Sequence, residues 1–160
     1  MTRSYPERPF VGVGALVFRG EEVLLVKRGT PPRLGQWSIP GGIQQLGESV
    51  AEAALREVRE EAGIAVEIKE VIAVVDAITR DAEGRVRYHY TLIDVLAEWQ
   101  AGEAVAGDDA AAVAWVPLDG LETYGLWQET LRVIGLAAAR RTRQGGAAPA
   151  IAAPGIAILP

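Results

Sequence analysis

The sequence predicts a single sandwich domain of the α+β or α/β class, in which strands and helices interleave with hairpins. Three observations point there. The chain opens with two apolar, valine- and leucine-rich runs separated by a tight turn; a Gly- and Pro-free segment rich in Ala, Glu, Arg and Leu follows; and a further pair of β-rich runs then leads into a second helical segment.

Phe10 to Arg19 and Glu22 to Arg28 read as strands joined at Gly20-Glu21, a hairpin. Gly29 to Gly47 turns to Gly, Pro and Gln around Trp37 and Ile39, which is loop chemistry with one aromatic anchor. Ser49 to Ala62 reads as a helix with Gly63 just past its end, and Ala51, Ala54, Leu55, Val58 and Ala62 form the arc that can face the core. Val66 to Thr79 and Val86 to Trp99 are a second strand pair, separated by the polar turn from Arg80 to Arg85. Ala101 to Ala110 is a loop, Ala111 to Val116 a short strand closed by Pro117, and Leu126 to Arg141 a second helix despite Gly135. The expected organisation is a polar extension over 1–9, one domain over 10–142 and an Ala/Pro-rich tail over 143–160, extended or packed through its isoleucines.

At 160 residues the chain can bury a real core without staples. It has no cysteine and one histidine, His89, so a metal must be held mainly by oxygen, which favours hard cations such as Mg²⁺. The net charge of −5 and the scattering of the sixteen basic residues argue against polymeric nucleic acid as a partner. The leading residues lack the apolar core of a signal peptide, and no apolar run has the roughly 18 residues of a membrane span, so cytoplasmic residence is the default expectation.

The chemistry is concentrated in the first helix. Glu57, Glu60 and Glu61 stand at i, i+3 and i+4 and share an arc of roughly 100° beside the apolar stripe. Like charges one turn apart repel and gain from a cation. Clustered carboxylates suit Mg²⁺ or Mn²⁺ together with substrate phosphates. An isolated acidic triplet of this kind would ordinarily be a solvated face.

The surrounding residues change that reading. Gly42, Glu48, Arg56, Glu57, Val58, Glu60, Glu61, Gly63 and Ile64 fill every fixed position of G-x5-E-x7-R-E-U-x-E-E-x-G-U, where U is aliphatic. Seven fixed identities and two aliphatic positions coincide by chance at a given site with probability below about 10⁻⁸. The segment therefore resembles the Nudix box, and the likeness extends through Lys27-Arg28, Trp37 and Pro40-Gly41-Gly42, covering roughly Val11 to Leu121. The resemblance implies an α/β/α sandwich around a mixed sheet and Mg²⁺- or Mn²⁺-dependent hydrolysis of a nucleoside diphosphate linked to another group, X.

By that similarity Glu57, Glu60 and Glu61 are metal ligands, with Gly41 adding a carbonyl, and Arg56 joins the three glutamates in the catalytic set in a supporting role, as the residue that ties Glu48 and its loop to the helix. Glu57 is the first candidate for the base, with Glu61 or Asp109 as alternatives. Gly41 and Gly42 are expected to let the backbone approach the helix. A later carboxylate, Asp109 before Asp108, completes the site. Around the substrate the expectation places Arg28, chosen over Lys27 because alternation turns them to opposite faces, together with Trp37, Gly42, Glu48 and Asp108. Arg87 to Tyr90 resembles a stretch of ADP-ribose pyrophosphatase-like members, in which His89 reads first as a packed strand residue. The substrate reading is a small nucleotide, ADP-ribose or a related nucleotide sugar. The alternatives are a MutT-like nucleoside triphosphate pyrophosphatase and a non-catalytic nucleotide-sensing module. A homodimer is implied by analogy alone.

Overall fold

The computed structural model describes residues 2–31, 33–107 and 109–143. Asp108 and residues 144–160, most of the expected tail, lie outside the described residues.

The opening hairpin forms as the two apolar runs and the Gly20-Glu21 turn predict, with β1 over Phe10–Arg19 and β2 over Glu22–Arg28. The segment read as pure loop contains two short strands, β3 (Trp37–Ser38) and β4 (Gly41–Ile43). They are too short for periodicity to reveal, and long-range pairing creates them: β3 adds to β2, and β4 adds antiparallel to β1 through Gly12–Ile43, Val13–Gly42 and Gly14–Gly41. Helix α1 (Val50–Ala62) follows. Ser49 caps it with a reciprocal capping box to Glu52, and Gly63 ends it at φ 69°, returning its N–H to the Arg59 carbonyl. β5 (Ala65–Arg80) and β6 (Val86–Ala101) pair antiparallel along their length, and β7 (Ala110–Pro117) lies beside β2. A 3-10 helix, Leu118–Tyr124, fills the stretch between the expected last strand and second helix, and α2 spans Gln128–Arg143, starting two residues later than expected and taking in the first residue of the expected tail.

The sheet order is β3-β2-β1-β6-β5, with β4 on β1 and β7 on β2. The sheet is mixed because β1 and β6 run parallel while the other pairings are antiparallel. Alternation sends successive side chains to opposite faces and so builds two cores. Val13, Ala15, Val17, Leu24, Val95 and Ala97 meet Ala53, Ala54, Val58 and Ala62 of α1. Leu16, Phe18, Val23, Leu25 and Leu96 meet Leu121 of the 3-10 helix and Val133, Ile134 and Ala137 of α2 on the other face. The buried arc of α1 is rotated from the expected one. Ala53 is fully buried, Ala51 and Leu55 are only partly covered, and the rotation draws Glu57 itself into the interior at 9% exposure.

Candidate active site

α1 is pinned by its cap at one end and its glycine at the other, and its apolar face fixes its rotation on the sheet. The edge carrying Glu57, Glu60 and Glu61 consequently faces β4. Together with Val26, Lys27 and Arg28 at the end of β2, the three glycine-strand residues Gly41–Ile43, and Asp109-Ala110, these carboxylates line a cleft of about 180 Å³, which Arg3 also joins.

The glycines make the approach possible. A Cβ on Gly42 would collide with the Glu57 carboxylate, so no other residue lets the strand lie this close to the helix. Gly41 differs from expectation: a Cβ there would strike β1 at the Val13 carbonyl, so its smallness serves strand pairing, while its N–H donates to Glu61 Oε2 at 3.3 Å.

Arg56 organises the remaining charges. Its Nε donates to Glu48 Oε1 at 2.6 Å and its Nη2 to Glu48 Oε2 at 3.0 Å, a two-pronged pair. The same guanidinium reaches Glu57 Oε1 at 2.7 Å, Glu60 Oε2 at 3.2 Å and the Ile43 carbonyl at 3.1 Å. Glu48 also accepts from the Gln45 N–H at 2.9 Å, so the loop before α1 is tied through Arg56 to the acidic edge. These partners lower the Glu48 pKa and raise that of Arg56.

Among the described residues no three acidic or imidazole groups converge closely enough to cage an ion as they stand. Arg56 supplies the positive charge between Glu57 and Glu60 instead. Among the described residues Glu61 forms no such ion pair. Burial, with the Glu57 charge beside it, pushes its carboxyl up to about 8, against the pull of the Gly41 N–H and the Arg28 guanidinium. A buried carboxyl that resists ionising is one whose charged form a cation stabilises. The donor set is all oxygen and fits a hard divalent ion, with Glu57, Glu60, Glu61 and Asp109 on one cleft.

Several expected site residues stand elsewhere. Trp37 does not line the cleft; its ring sits edge-on to Tyr124, with centroids 5.1 Å apart, and packs on the α2-side core, because pairing of β3 with β2 carries it there. Glu48 and Arg56 stand behind the lining residues. His89 pairs with Ile78 in the β5–β6 ladder, away from the cleft. Lys27 and Arg28 both line it, since a register shift in the β2–β7 pairing breaks strict alternation between them; the Lys27 ammonium lies 6.0 Å from the Trp37 ring, and Arg28 is the charge that Glu61 feels. Asp109 is in the lining, and its carbonyl accepts from the Gly29 N–H at 2.6 Å. Arg3 escaped the sequence reading, which had no signal linking a polar leading segment to a helix more than fifty residues away.

A mixed sheet between two helical layers, with an acidic helix edge apposed to a glycine strand, defines a class of α/β/α protein suited to oxygen-bound cations and phosphate. A family model described as the NUDIX domain matches residues 8–134, and the chain belongs to the Nudix family. It is 34% identical over 113 residues to an ADP-ribose pyrophosphatase of Methanocaldococcus jannaschii, a match covering 71% of this chain and 64% of that protein. A structure of a MutT NUDIX hydrolase from Burkholderia pseudomallei superposes with a TM-score of 0.70 at 35% identity, covering 81% of this chain and 98% of that one. An ADP-ribose pyrophosphatase from Streptococcus suis superposes with a TM-score of 0.61 at 28% identity, covering 83% and 93%.

Proposed function

We propose that the protein is a Mg²⁺-dependent pyrophosphohydrolase that cleaves a nucleoside diphosphate derivative to a nucleoside monophosphate and phosphorylated X, with ADP-ribose or a related nucleotide sugar as substrate. The observation that carries this is the cleft in which Glu57, Glu60 and Glu61 face the backbone of Gly41 and Gly42, with Arg28 on the same lining. Its volume of about 180 Å³ is below the roughly 300–1,000 Å³ of pockets that enclose a whole small molecule, and it suits the diphosphate alone. An adjoining groove that shares Ile43 and includes Arg8, Phe10, Gln44 and Gln45 offers room for one of the flanking groups.

A divalent cation on these carboxylates supplies neutralisation of phosphate charge and activation of water. Glu57 orients the attacking water and takes its proton as the new O–P bond forms and the bridging P–O bond breaks. Gly42 leaves its carboxylate unobstructed toward the cleft. Arg28 binds a phosphate oxygen, and Arg56 holds Glu57 and Glu60 in place while Glu48 anchors it.

ADP-ribose is favoured by the names of the Methanocaldococcus and Streptococcus relatives. The likeness to the Burkholderia MutT protein supports the second reading, a nucleoside triphosphate pyrophosphatase. Incubation of purified protein and Mg²⁺ with ADP-ribose, other dinucleotides and sugar nucleotides, and deoxynucleoside triphosphates separates the two by products. AMP plus ribose 5-phosphate supports the first, and a monophosphate plus inorganic pyrophosphate the second. A full panel left uncut would overturn both and make a non-catalytic nucleotide-sensing module the leading reading.

A further inference from the structure

We infer that Arg3, carried by the leading segment, is a phosphate-binding residue of the substrate site and that Tyr5 is the positioning residue that delivers it. This rests on the pyrophosphohydrolase reading.

Arg3 lines the cleft beside Glu57, Glu60, Glu61 and Asp109, yet among the described residues it forms no ion pair with any of them. A guanidinium that reaches an acidic cleft and leaves its carboxylates to other partners is available for an incoming anion. The balance of charge agrees. Four acidic and three basic side chains line the cleft, so with all four carboxylates ionised around one bound divalent cation the lining carries a net positive charge, which suits a diphosphate.

The segment is held in place. The Tyr5 N–H donates to the Arg87 carbonyl at 2.8 Å, its hydroxyl donates to Asp81 Oδ2 at 3.0 Å, and the Arg85 guanidinium lies 5.1 Å from its ring centre. Arg85 Nε in turn donates to Asp81 at 2.9 Å, closing a three-residue clasp at the β5–β6 turn. Tyr5 sits at φ 52°, the one described residue other than glycine with a left-handed backbone. A tyrosine adopts that conformation only where its surroundings impose it, and such positions gather at functional sites. The bend redirects the chain so that Arg3, two residues earlier, arrives at the cleft.

The test compares the full chain with Arg3→Gln, Arg3→Lys and Tyr5→Phe, in Mg²⁺. Binding of α,β-methylene-ADP, which resists hydrolysis, is measured by calorimetry, turnover on ADP-ribose and deoxynucleoside triphosphates by product release, and folding by thermal melting. A charge-assisted hydrogen bond to phosphate predicts that Arg3→Gln weakens analogue binding by about 10- to 100-fold. KM should rise in step, with kcat nearly unchanged and melting at the wild-type temperature. Arg3→Lys should recover part of the loss, and Tyr5→Phe, which keeps the ring but drops the Asp81 bond, should raise KM by a smaller factor. Wild-type analogue affinity in Arg3→Gln overturns the inference, as does a uniform loss that tracks melting. Wild-type protein that binds the analogue but hydrolyses nothing overturns the pyrophosphohydrolase reading and leaves Arg3 to be judged on binding alone; wild-type protein that does neither overturns both.

Discussion

Glu57 shows why one carboxylate can be both legible in a sequence and unusual in a structure. It occupies a fixed place in a box, yet its burial at 9% exposure depends on how α1 rotates against Val13 and Val95. Replacement by Gln keeps the volume and a side-chain oxygen that can still accept from Arg56, so Glu57→Gln should lower turnover by roughly a thousandfold or more, the scale of a lost catalytic base combined with a lost ligand, while the chain still folds. Near-wild-type turnover would move the base to Glu61 or Asp109. Asp94 is a second buried carboxylate, at 7% exposure, with no motif or spacing in the sequence to mark it. Burial pushes its pKa up to about 6, against the pull of Arg132. Its folded value exceeds its unfolded one, so the stability it contributes is complete below pH 4 and is lost as pH rises through 6. Asp94→Asn escapes that loss and should gain on the order of 2 kcal/mol over wild type at pH 8, with the gap closing toward pH 4. Chemical denaturation across that range measures it, and a gap independent of pH would remove Asp94 as its source.

At the level of elements, the strands with apolar runs bounded by turns and the helix closed by Gly63 were readable, and those created by distant partners were not. β1 and β2 have the expected boundaries because their turn and their apolar runs are local signals. β3 and β4 consist of two and three residues whose strand character comes from pairing with β2 and β1. Cap chemistry is also local, which makes α1 testable on its own. Ser49→Ala removes the bond from the Glu52 N–H to the Ser49 hydroxyl and leaves only the backbone N–H of residue 49 donating to the Glu52 carboxylate. The cost should be about 1 kcal/mol, a fall in melting temperature of roughly 2–4 °C for a domain of this size. The acidic residues lie in the later turns, away from the frayed end, so turnover at 25 °C should fall less than twofold. A large loss of activity without a melting shift would show that the loop from Gln44 to Glu48, rather than the helix, is the element disturbed.

Across the whole molecule, the sheet separates two cores and leaves the site where strand ends, a glycine strand and one helix edge meet. The parallel β1–β6 pairing that makes this possible joins segments about eighty residues apart, and nothing local in either announces it. The acidic edge was legible as a charge pattern; its apposition to Gly41 and Gly42 was legible only through resemblance to a family. What the fold adds is a physical conflict: three carboxylates stand on one edge, and Arg56 balances Glu57 and Glu60 while Glu61 is held near neutrality by burial. A ligand that binds only the folded chain and relieves that conflict must stabilise it by mass action. Mg²⁺ at about one hundred times its dissociation constant should contribute about 2.7 kcal/mol, which raises the melting temperature by roughly 5–10 °C over protein in chelator. Chelation should abolish turnover while far-ultraviolet circular dichroism stays that of the folded sheet, because both cores are complete without the ion. In Glu57→Gln the shift should shrink to a small fraction of its wild-type size. Equal melting of the wild-type chain with and without Mg²⁺ would mean that Arg56 alone satisfies the acidic edge and that the cleft is built for something other than a metal-held diphosphate.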